Sequence, residues 1–293
     1  MVTTAPIGRR AAMLGALSVC AAPLIGRGAE PLRLAAIDWA MMETAIALGH
    51  MPVAACELIR YREDAVAPNI PLSVTDLGLR GSPNFELLQL TRPDLILSSN
   101  YYTGIEPRLA AIAPVMAQPF YLPGEAPWPK AVAALHALAD RLGNPGTATR
   151  TEARARATLA ELSTRLDPLK TRPVYVIEIG DARHFRAFGA DSMFGNILTE
   201  LGFENAWTDL SRFAFAAPVP LERLAERPEA RIVLVSGIPP IAARALETSV
   251  LWTHLEPVAE GRASTLGAVN PFGGIPAALR FAELLASALT GAA

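Results

Sequence analysis

The chain has 293 residues, of which 51% are hydrophobic and 18% are charged, and its formal net charge is −2. This composition excludes an intrinsically disordered protein and provides no basic field for binding nucleic acid. The length is sufficient for two lobes that each bury a hydrophobic core.

The amino terminus has the features of an export signal. Arg9 and Arg10 precede an apolar run over residues 11–25, and small residues follow that run. A basic region, a short apolar segment and small residues at a cleavage point are typical of a signal peptide, and the adjacent arginines resemble a twin-arginine signal. We therefore predict a signal peptide over residues 1–29 and a periplasmic location.

The sequence contains two cysteines, Cys20 and Cys56. The bulky Val19 before Cys20 is unlike a lipid-attachment site, so cleavage near Ala29 is favoured over lipidation. Cys56 would then stand alone, which leaves no internal disulfide in the exported protein. Because Cys56 ends an apolar run, we expect it to be a small buried residue.

The first part of the mature chain alternates short apolar strands with helices. Asp38 and Asn84 are positioned to cap two of the helices. The predicted strands cover 32–37, 52–56, 74–77, 94–98 and 114–120, and the predicted helices cover 41–48, 84–91 and 128–142. This alternation indicates an α/β lobe with a parallel sheet.

Arg80 and Tyr102 each follow one of these strands. Arg80 comes shortly after strand 74–77, and Tyr102 comes shortly after strand 94–98. We place both residues just past the carboxyl ends of adjacent strands, which is where open α/β sheets bind ligands. A guanidinium and a phenol there suit a ligand rich in partly negative oxygen.

A long amphipathic helix, over roughly 149–166, separates this lobe from a second series of strands and helices. The second series contains predicted strands at 173–179, 185–188 and 231–235 and predicted helices at 192–201, 222–225, 241–247 and 275–289. The predicted fold class is α/β, with two similar Rossmann-like lobes joined by a long α-helix and a ligand cleft between the lobes. The expected boundaries are 30–145, 146–168 for the connecting helix, and 169–293.

Two spacings recur in the two halves and support similar lobes. The segment 38–49 has the same length as 191–202, and both run from an aspartate to Leu-Gly. Glu86 and the strand after Pro93 are echoed by Glu222 and the strand after Pro228. Capped helices and buried strands are common, but two matches in the same order favour a repeat.

The residues that commonly carry catalysis or bind metal form no recognisable pattern. The sequence has no G-x-G-x-x-G, Walker or G-x-S-x-G motif, and its four histidines lack ligand spacing. An enzyme hypothesis would depend on Asp181, Arg183 and His184, which have no nucleophile near them in sequence. We predict no catalytic residue, no protein-bound metal and no cofactor.

The segments VTDLGLRGSPNFELLQLTRPDLI, IDWAMMETAIALG and DARHFRAFGADSMFGNIL resemble the periplasmic metal-chelate-binding proteins of ABC importers. D-x-G-L-R with the later tyrosine is similar to the hydroxamate-siderophore branch of that family. The resemblance implies a monomer that captures a ferric siderophore, of hydroxamate or mixed type, and delivers it to an inner-membrane permease. Iron would be bound only as the chelate.

The resemblance also implies roles for individual residues. Arg80 matches an arginine that bonds the iron-coordinating hydroxamate oxygens, and Tyr102 matches a tyrosine that assists it. The further ligand-binding residues that it implies are aromatic: Trp39, Tyr61, Phe213 and Phe272. Glu86 and Glu222 match a pair that docks on permease arginines. Positions that are tryptophan in the ferrichrome-binding branch are occupied here by Asp64, Ser98, Ala214 and Asn270, which implies a less aromatic and more polar pocket.

Two alternatives remain at this point. The first is a haem or cobalamin binder of the same fold, because Tyr102 could serve as an axial haem ligand. The second is an exported α/β hydrolase.

Overall fold

The computed structural model of the protein describes residues 1–3, 32–209 and 219–291. Nearly all of the predicted signal peptide, with Cys20, lies outside the described residues, as do Phe213 and Ala214. None of the helices in the described ranges combines the length and the apolar composition needed to cross a membrane.

The first half of the described chain builds a parallel sheet. Its elements are β1 (Leu34–Ala36), α1 (Trp39–Ala47), β2 (Ala54–Ala55), α2 (Leu58–Asp64), β3 (Thr75–Asp76), β4 (Gly78–Leu79), β5 (Ser82–Pro83), α3 (Phe85–Leu90), β6 (Leu95–Ser99), α4 (Glu106–Ala110), β7 (Val115–Gln118) and α5 (Pro127–Arg141). Five strands pair in parallel in the order β3-β2-β1-β6-β7, while β4 and β5 form a separate antiparallel hairpin. Since the five strands run the same way, their carboxyl ends share one edge.

Local signals fix the ends of the helices beside this edge. The Asp38 side chain accepts a hydrogen bond from the Met41 backbone N–H over 3.0 Å at the start of α1. Gly49, with φ +85°, lies just past the end of the same helix, in the left-handed conformation that glycine adopts without strain. Asn84 caps α3 in the same way as Asp38 caps α1, through the Leu87 N–H at 2.9 Å. The predicted caps are confirmed.

A 22-residue helix, α6 (Pro145–Leu166), follows α5 and precedes the second sheet. Its buried residues include Ala155, Leu159, Leu162 and Leu166, which form the apolar face expected from the sequence. The charged side chains of α6 lie on its other faces, so the helix packs along one side only.

The second half builds another five-stranded sheet. Its elements are β8 (Val174–Ile179), β9 (His184–Ala187), α7 (Met193–Glu200), β10 (Val219–Pro220), β11 (Arg231–Leu234), α8 (Pro240–Glu247), α9 (Val250–His254), α10 (Glu256–Ala259), β12 (Ala263–Thr265) and α11 (Ile275–Thr290). The strand order is β10-β9-β8-β11-β12, and β9 is antiparallel to both of its neighbours. Two α/β lobes with a long helix between them are the predicted fold class.

The repeat between the lobes is approximate. In the first lobe α1 follows β1 directly, whereas β9 lies between β8 and α7 in the second. Ser192, and not the equivalent Asp191, caps α7 by accepting from the Gly195 N–H over 3.0 Å. Asp191 instead accepts a hydrogen bond from the Gly124 N–H over 3.1 Å. This hydrogen bond connects the start of α7 to the loop between β7 and α5.

One hydrophobic core extends through both lobes. It contains side chains from α1, α5, α6, α7 and α11. Phe194 of α7 and Phe281 of α11 stack within this core, with ring centroids 4.5 Å apart and planes inclined by 20°. The helices on the inner faces of the two sheets therefore pack as a single unit.

Candidate ligand-binding site

The strands that precede Arg80 and Tyr102 are not adjacent, and that part of the prediction is wrong. In the first sheet, β2 and β1 separate β3 from β6. Arg80 lies in the turn of the β4–β5 hairpin, and the Gly78 carbonyl of this hairpin accepts a hydrogen bond from the Glu57 N–H over 2.8 Å. The hairpin thus packs against the residues that follow β2. This contact places Arg80 nearer the middle of the carboxyl edge of the first sheet.

Two first-lobe residues hold the Arg80 guanidinium. Its Nε donates to a carboxylate oxygen of Glu57 over 2.9 Å, and the Arg80 backbone N–H lies 3.3 Å from the other oxygen. The guanidinium carbon lies 4.1 Å from the centroid of the Trp39 ring, a cation–π contact. Within the described part of the chain, no residue accepts a hydrogen bond from either terminal nitrogen of Arg80.

The Trp39 ring, on which the Arg80 guanidinium stacks, is itself held in place by its neighbours. Its side chain is buried, and its Nε1–H donates to the Cys56 carbonyl over 2.9 Å. The Tyr61 ring packs edge-on against it at 5.0 Å. The guanidinium covers one face of the Trp39 ring, so Trp39 supports Arg80 and is not itself an exposed pocket wall.

Tyr102 lies in a 3₁₀ helix, Asn100–Ile105, that begins where β6 ends. Burial raises the pKa of the Tyr102 phenol, the nearby carboxylate of Asp38 raises it further, and the positive charge of Arg80 acts in the opposite direction. Tyr102 is therefore a neutral hydrogen-bond donor at physiological pH. The Tyr102 phenol therefore lies within electrostatic range of both Arg80 and Asp38.

Two carboxylates at this edge were not among the predicted site residues. Asp38 was assigned only as a helix cap, yet its second oxygen accepts from the Ser99 hydroxyl over 2.9 Å and its carboxyl interacts electrostatically with Arg80. Burial raises the pKa of Asp38, and its bonds to Met41 and Ser99 oppose that shift. Glu57 follows the apolar strand β2 after one intervening residue, Cys56. A charged residue just past a buried strand is the signal that would have indicated it.

The other predicted aromatic residues occupy different environments. Tyr61 is fully buried, and its hydroxyl lies 3.1 Å from both a Glu43 carboxyl oxygen and the Ala67 carbonyl, so it is a core residue and forms no exposed wall. Phe272 is half-buried and packs edge-on against Tyr121 at 5.4 Å, which brings a residue of the second lobe onto the first. Phe213 lies outside the described residues.

The positions expected to make the pocket more polar are mostly closed to solvent. Ser98 and Asn270 are each 1% exposed. The Asn270 amide donates to Glu43 over 2.8 Å, whereas Asp64 is exposed and pairs with Arg60 at 2.8 Å. Asn270 therefore hydrogen-bonds across the junction of the two lobes and does not line an open pocket.

A surface pocket of about 570 Å³ lies elsewhere on the first lobe. Its lining includes Arg33, Val53 and Thr75, at the amino-terminal ends of β1, β2 and β3, together with Leu87 and Leu90 of α3. This is the opposite edge of the sheet from Arg80 and Tyr102, so the pocket is not part of the candidate site.

The comparisons with known proteins place the chain in a family. Residues 34–269 match the family model described as periplasmic binding protein, and the chain belongs to this family. It is similar to the iron(3+)-hydroxamate-binding protein FhuD of Escherichia coli (strain K12), with 31% identity over 264 residues that cover 90% of the chain and 89% of the relative. It is also 28% identical to the achromobactin-binding periplasmic protein of Dickeya dadantii (strain 3937), over 62% of the chain and 58% of the relative.

Solved structures share the fold. The siderophore-binding protein FhuD from Vibrio cholerae, in its Fe³⁺–Desferal complex, matches with a TM-score of 0.83 at 24% identity, covering 90% of this chain and 99% of that one. The triscatecholate siderophore-binding protein FeuA from Bacillus subtilis, complexed with ferri-bacillibactin, matches with a TM-score of 0.68 at 20% identity, over 88% and 92%. The predicted family and two-lobe fold class are confirmed, and the α/β-hydrolase alternative is wrong in its fold.

Proposed function

We propose that the protein captures a ferric siderophore of hydroxamate or mixed type in the periplasm and delivers it to an ABC importer without catalysing a reaction. The observation that carries this proposal is the fixed guanidinium of Arg80, which Glu57 and Trp39 hold at the carboxyl edge of the first sheet. The relative with 31% identity is named for binding iron(3+)-hydroxamate. Export by a signal peptide over residues 1–29 is part of the proposal.

The chemistry of the edge suits such a chelate. In a ferric hydroxamate the ligand oxygens already surround the iron, so recognition requires hydrogen-bond donors to those oxygens and no additional metal ligand. Arg80 offers its terminal N–H groups, and the neutral Tyr102 phenol offers one O–H. In the described ranges, no three His, Cys, Asp or Glu residues are grouped as a metal site.

The lobe arrangement supports a cleft that moves little. We assign residues 30–145 and 169–293 to the lobes and 146–168 to the connecting helix. A helix resists bending more than an extended linker does, and a buried hydrogen bond between Glu43 and Asn270 joins the lobes. The protein is expected to be a monomer. Phe272, from the second lobe, is expected to contact a ligand bound at the carboxyl edge of the first sheet.

Glu86 and Glu222 are the proposed contacts with the permease. Glu86 lies in the first turn of α3, and Glu222 lies in the first turn of a 3₁₀ helix, Leu221–Glu226. Both side chains are exposed, and neither forms an ion pair with another described residue. One free carboxylate on each lobe supports two-point docking on arginines, which would fix the orientation of the complex.

Tryptophan fluorescence tests the ligand class. Titration with ferric Desferal should quench the emission, because Trp39 lies directly beneath Arg80. The iron-free chelator is the control for non-specific quenching. Quenching by haem or cobalamin with none by a ferric hydroxamate would replace the proposal with the alternative ligand class. Recovery of the chelate with unchanged mass after incubation tests the absence of catalysis.

A further inference from the structure

Glu57 has a backbone conformation that orients its carboxylate toward Arg80. Its φ and ψ of 53° and 41° lie in the left-handed region, which residues with a side chain rarely adopt. Its N–H donates to the Gly78 carbonyl over 2.8 Å, and its carbonyl accepts from the Tyr61 N–H over 2.9 Å. Bonds on both sides hold Glu57 in place between β2 and α2.

The Glu57 carboxylate then determines which atoms of Arg80 remain available. It takes the Nε–H at 2.9 Å and approaches the Arg80 backbone N–H at 3.3 Å. The Nε bond occupies one N–H of the planar guanidinium and leaves the terminal nitrogens as the donors for a ligand. Trp39 fixes the plane of the guanidinium, at 4.1 Å.

The same carboxylate changes the charge that a ligand meets. The Arg80–Glu57 pair is formally neutral, and its side chains are only 23% and 15% exposed, so solvent screens it incompletely. The buried Asp38 carboxyl, which accepts hydrogen bonds from the Met41 N–H and the Ser99 hydroxyl, interacts with Arg80 and adds no positive charge. This end of the cleft therefore provides hydrogen-bond donors without a net positive charge.

From these contacts we infer that Glu57 is a positioning and specificity residue, which directs the Arg80 donors to the ligand and selects chelates without negative charge. The inference rests on the proposed function and narrows it. A ferric trihydroxamate is neutral, because three singly charged hydroxamates balance the ferric ion, whereas a ferric tris-catecholate is strongly anionic. An anionic complex would compete with the Glu57 carboxylate for the guanidinium. The negative charge of Glu57 would also repel that complex directly.

The test compares dissociation constants for a ferric trihydroxamate and a ferric tris-catecholate at low ionic strength. The wild-type protein should prefer the trihydroxamate. Glu57→Gln, which keeps the side-chain shape and removes the charge, should shift the ratio of the two constants toward the catecholate by about tenfold or more. Glu57→Ala should shift it in the same direction. Glu63→Gln, an exposed charge change on α2, the helix that Glu57 precedes, should change the ratio by no more than about twofold.

A double-mutant cycle separates positioning from a general structural role. If Glu57 positions Arg80, Glu57→Gln should weaken binding of the neutral trihydroxamate in the wild-type background and have no such effect in an Arg80→Gln background. Glu57→Asp, which keeps the charge, should keep the preference for the trihydroxamate. A ratio that is unchanged in both Glu57→Gln and Glu57→Ala would overturn the inference alone. Failure of the wild-type protein to bind either chelate would overturn the proposed function instead.

Discussion

Glu43 and Asn270 are joined by a buried hydrogen bond, in which the Asn270 amide donates to a Glu43 carboxyl oxygen over 2.8 Å. The Gly274 N–H donates to the other oxygen, also over 2.8 Å. Glu43 belongs to α1 of the first lobe, whereas Asn270 and Gly274 precede α11 of the second. A fully buried carboxyl group thus lies at the junction of the two lobes.

This junction predicts a pH dependence of stability. Burial raises the pKa of Glu43 from its ordinary value of 4.5 to about 7, although its hydrogen bonds to Asn270, Gly274 and Tyr61 oppose the shift. Between these two values the folded protein binds the proton more tightly than the unfolded chain, so stability falls as the pH rises and levels off above the folded-state pKa. From pH 5 to pH 8 this group should remove on the order of 2 kcal/mol.

Urea denaturation of the wild type and of Glu43→Gln, across this pH range, measures that contribution. Glu43→Gln should flatten the pH profile, since the amide does not titrate. Glu63→Gln, an exposed substitution on α2, should leave the profile unchanged. Parallel profiles for the wild type and Glu43→Gln would contradict the assignment.

Arg80→Ala should weaken binding of a ferric hydroxamate by roughly 1.5–3 kcal/mol, because charge-assisted hydrogen bonds to the chelate oxygens are lost. Isothermal titration calorimetry provides the measurement. Arg108→Ala is the matched control, since Arg108 is exposed and its guanidinium stacks on Phe85 at 3.7 Å, outside the site. Equal affinity in the wild type and Arg80→Ala would remove Arg80 from the site.

Tyr102→Phe should cost less, roughly 0.5–1.5 kcal/mol, because a single neutral hydrogen bond is lost. Burial raises the pKa of the phenol above its ordinary value of 10, so the donor stays protonated in mildly alkaline solution. Affinity should therefore not decrease through Tyr102 between roughly pH 7 and pH 9. A loss of wild-type affinity in that range, absent from Tyr102→Phe, would show that the phenol ionises there.

Combined Glu86→Ala and Glu222→Ala should reduce uptake of the ferric siderophore by cells and leave binding by the purified protein unchanged. The physical reason is that both carboxylates are exposed and lie outside the contacts of Arg80. Glu63→Ala with Glu247→Ala, one exposed glutamate from each lobe, is the control for a general change of surface charge. Normal uptake by the Glu86 and Glu222 variant would argue against docking at these residues.

Cys56 should not react with thiol reagents in the native protein. It is fully buried, and burial raises the pKa of its thiol, with the Asp76 and Glu57 carboxylates adding to the shift. Labelling followed by mass spectrometry should show modification only after denaturation, because the thiolate is the reactive form. Rapid labelling under native conditions would mean that β2 opens frequently.

Local signals in the sequence predicted the elements of the fold well. Caps at Asp38 and Asn84 and the apolar face of α6 lie where the residue types indicated. Strand order depends on distant pairing, which residue types do not encode locally, and this is why β3 and β6 were wrongly placed side by side.

The contacts around Arg80 required the three-dimensional structure. The sequence marked Arg80 as a turn residue, but not the fold-back of the hairpin that brings it to Glu57 and Trp39. Tyr61 was expected on a pocket wall because the family resemblance implied an aromatic residue there. Its position in α2, a helix that was not predicted, directs it into the core instead.

The core that α1, α5, α7 and α11 share has a practical consequence. A molecule whose two lobes share one core should unfold in a single thermal transition. Any compound that binds only the native form raises the melting temperature of that transition by mass action. A dye-based melting assay on a plate can therefore rank a panel of metal complexes without labels. Each complex that binds the native protein would raise the melting temperature, whichever part of the molecule it binds.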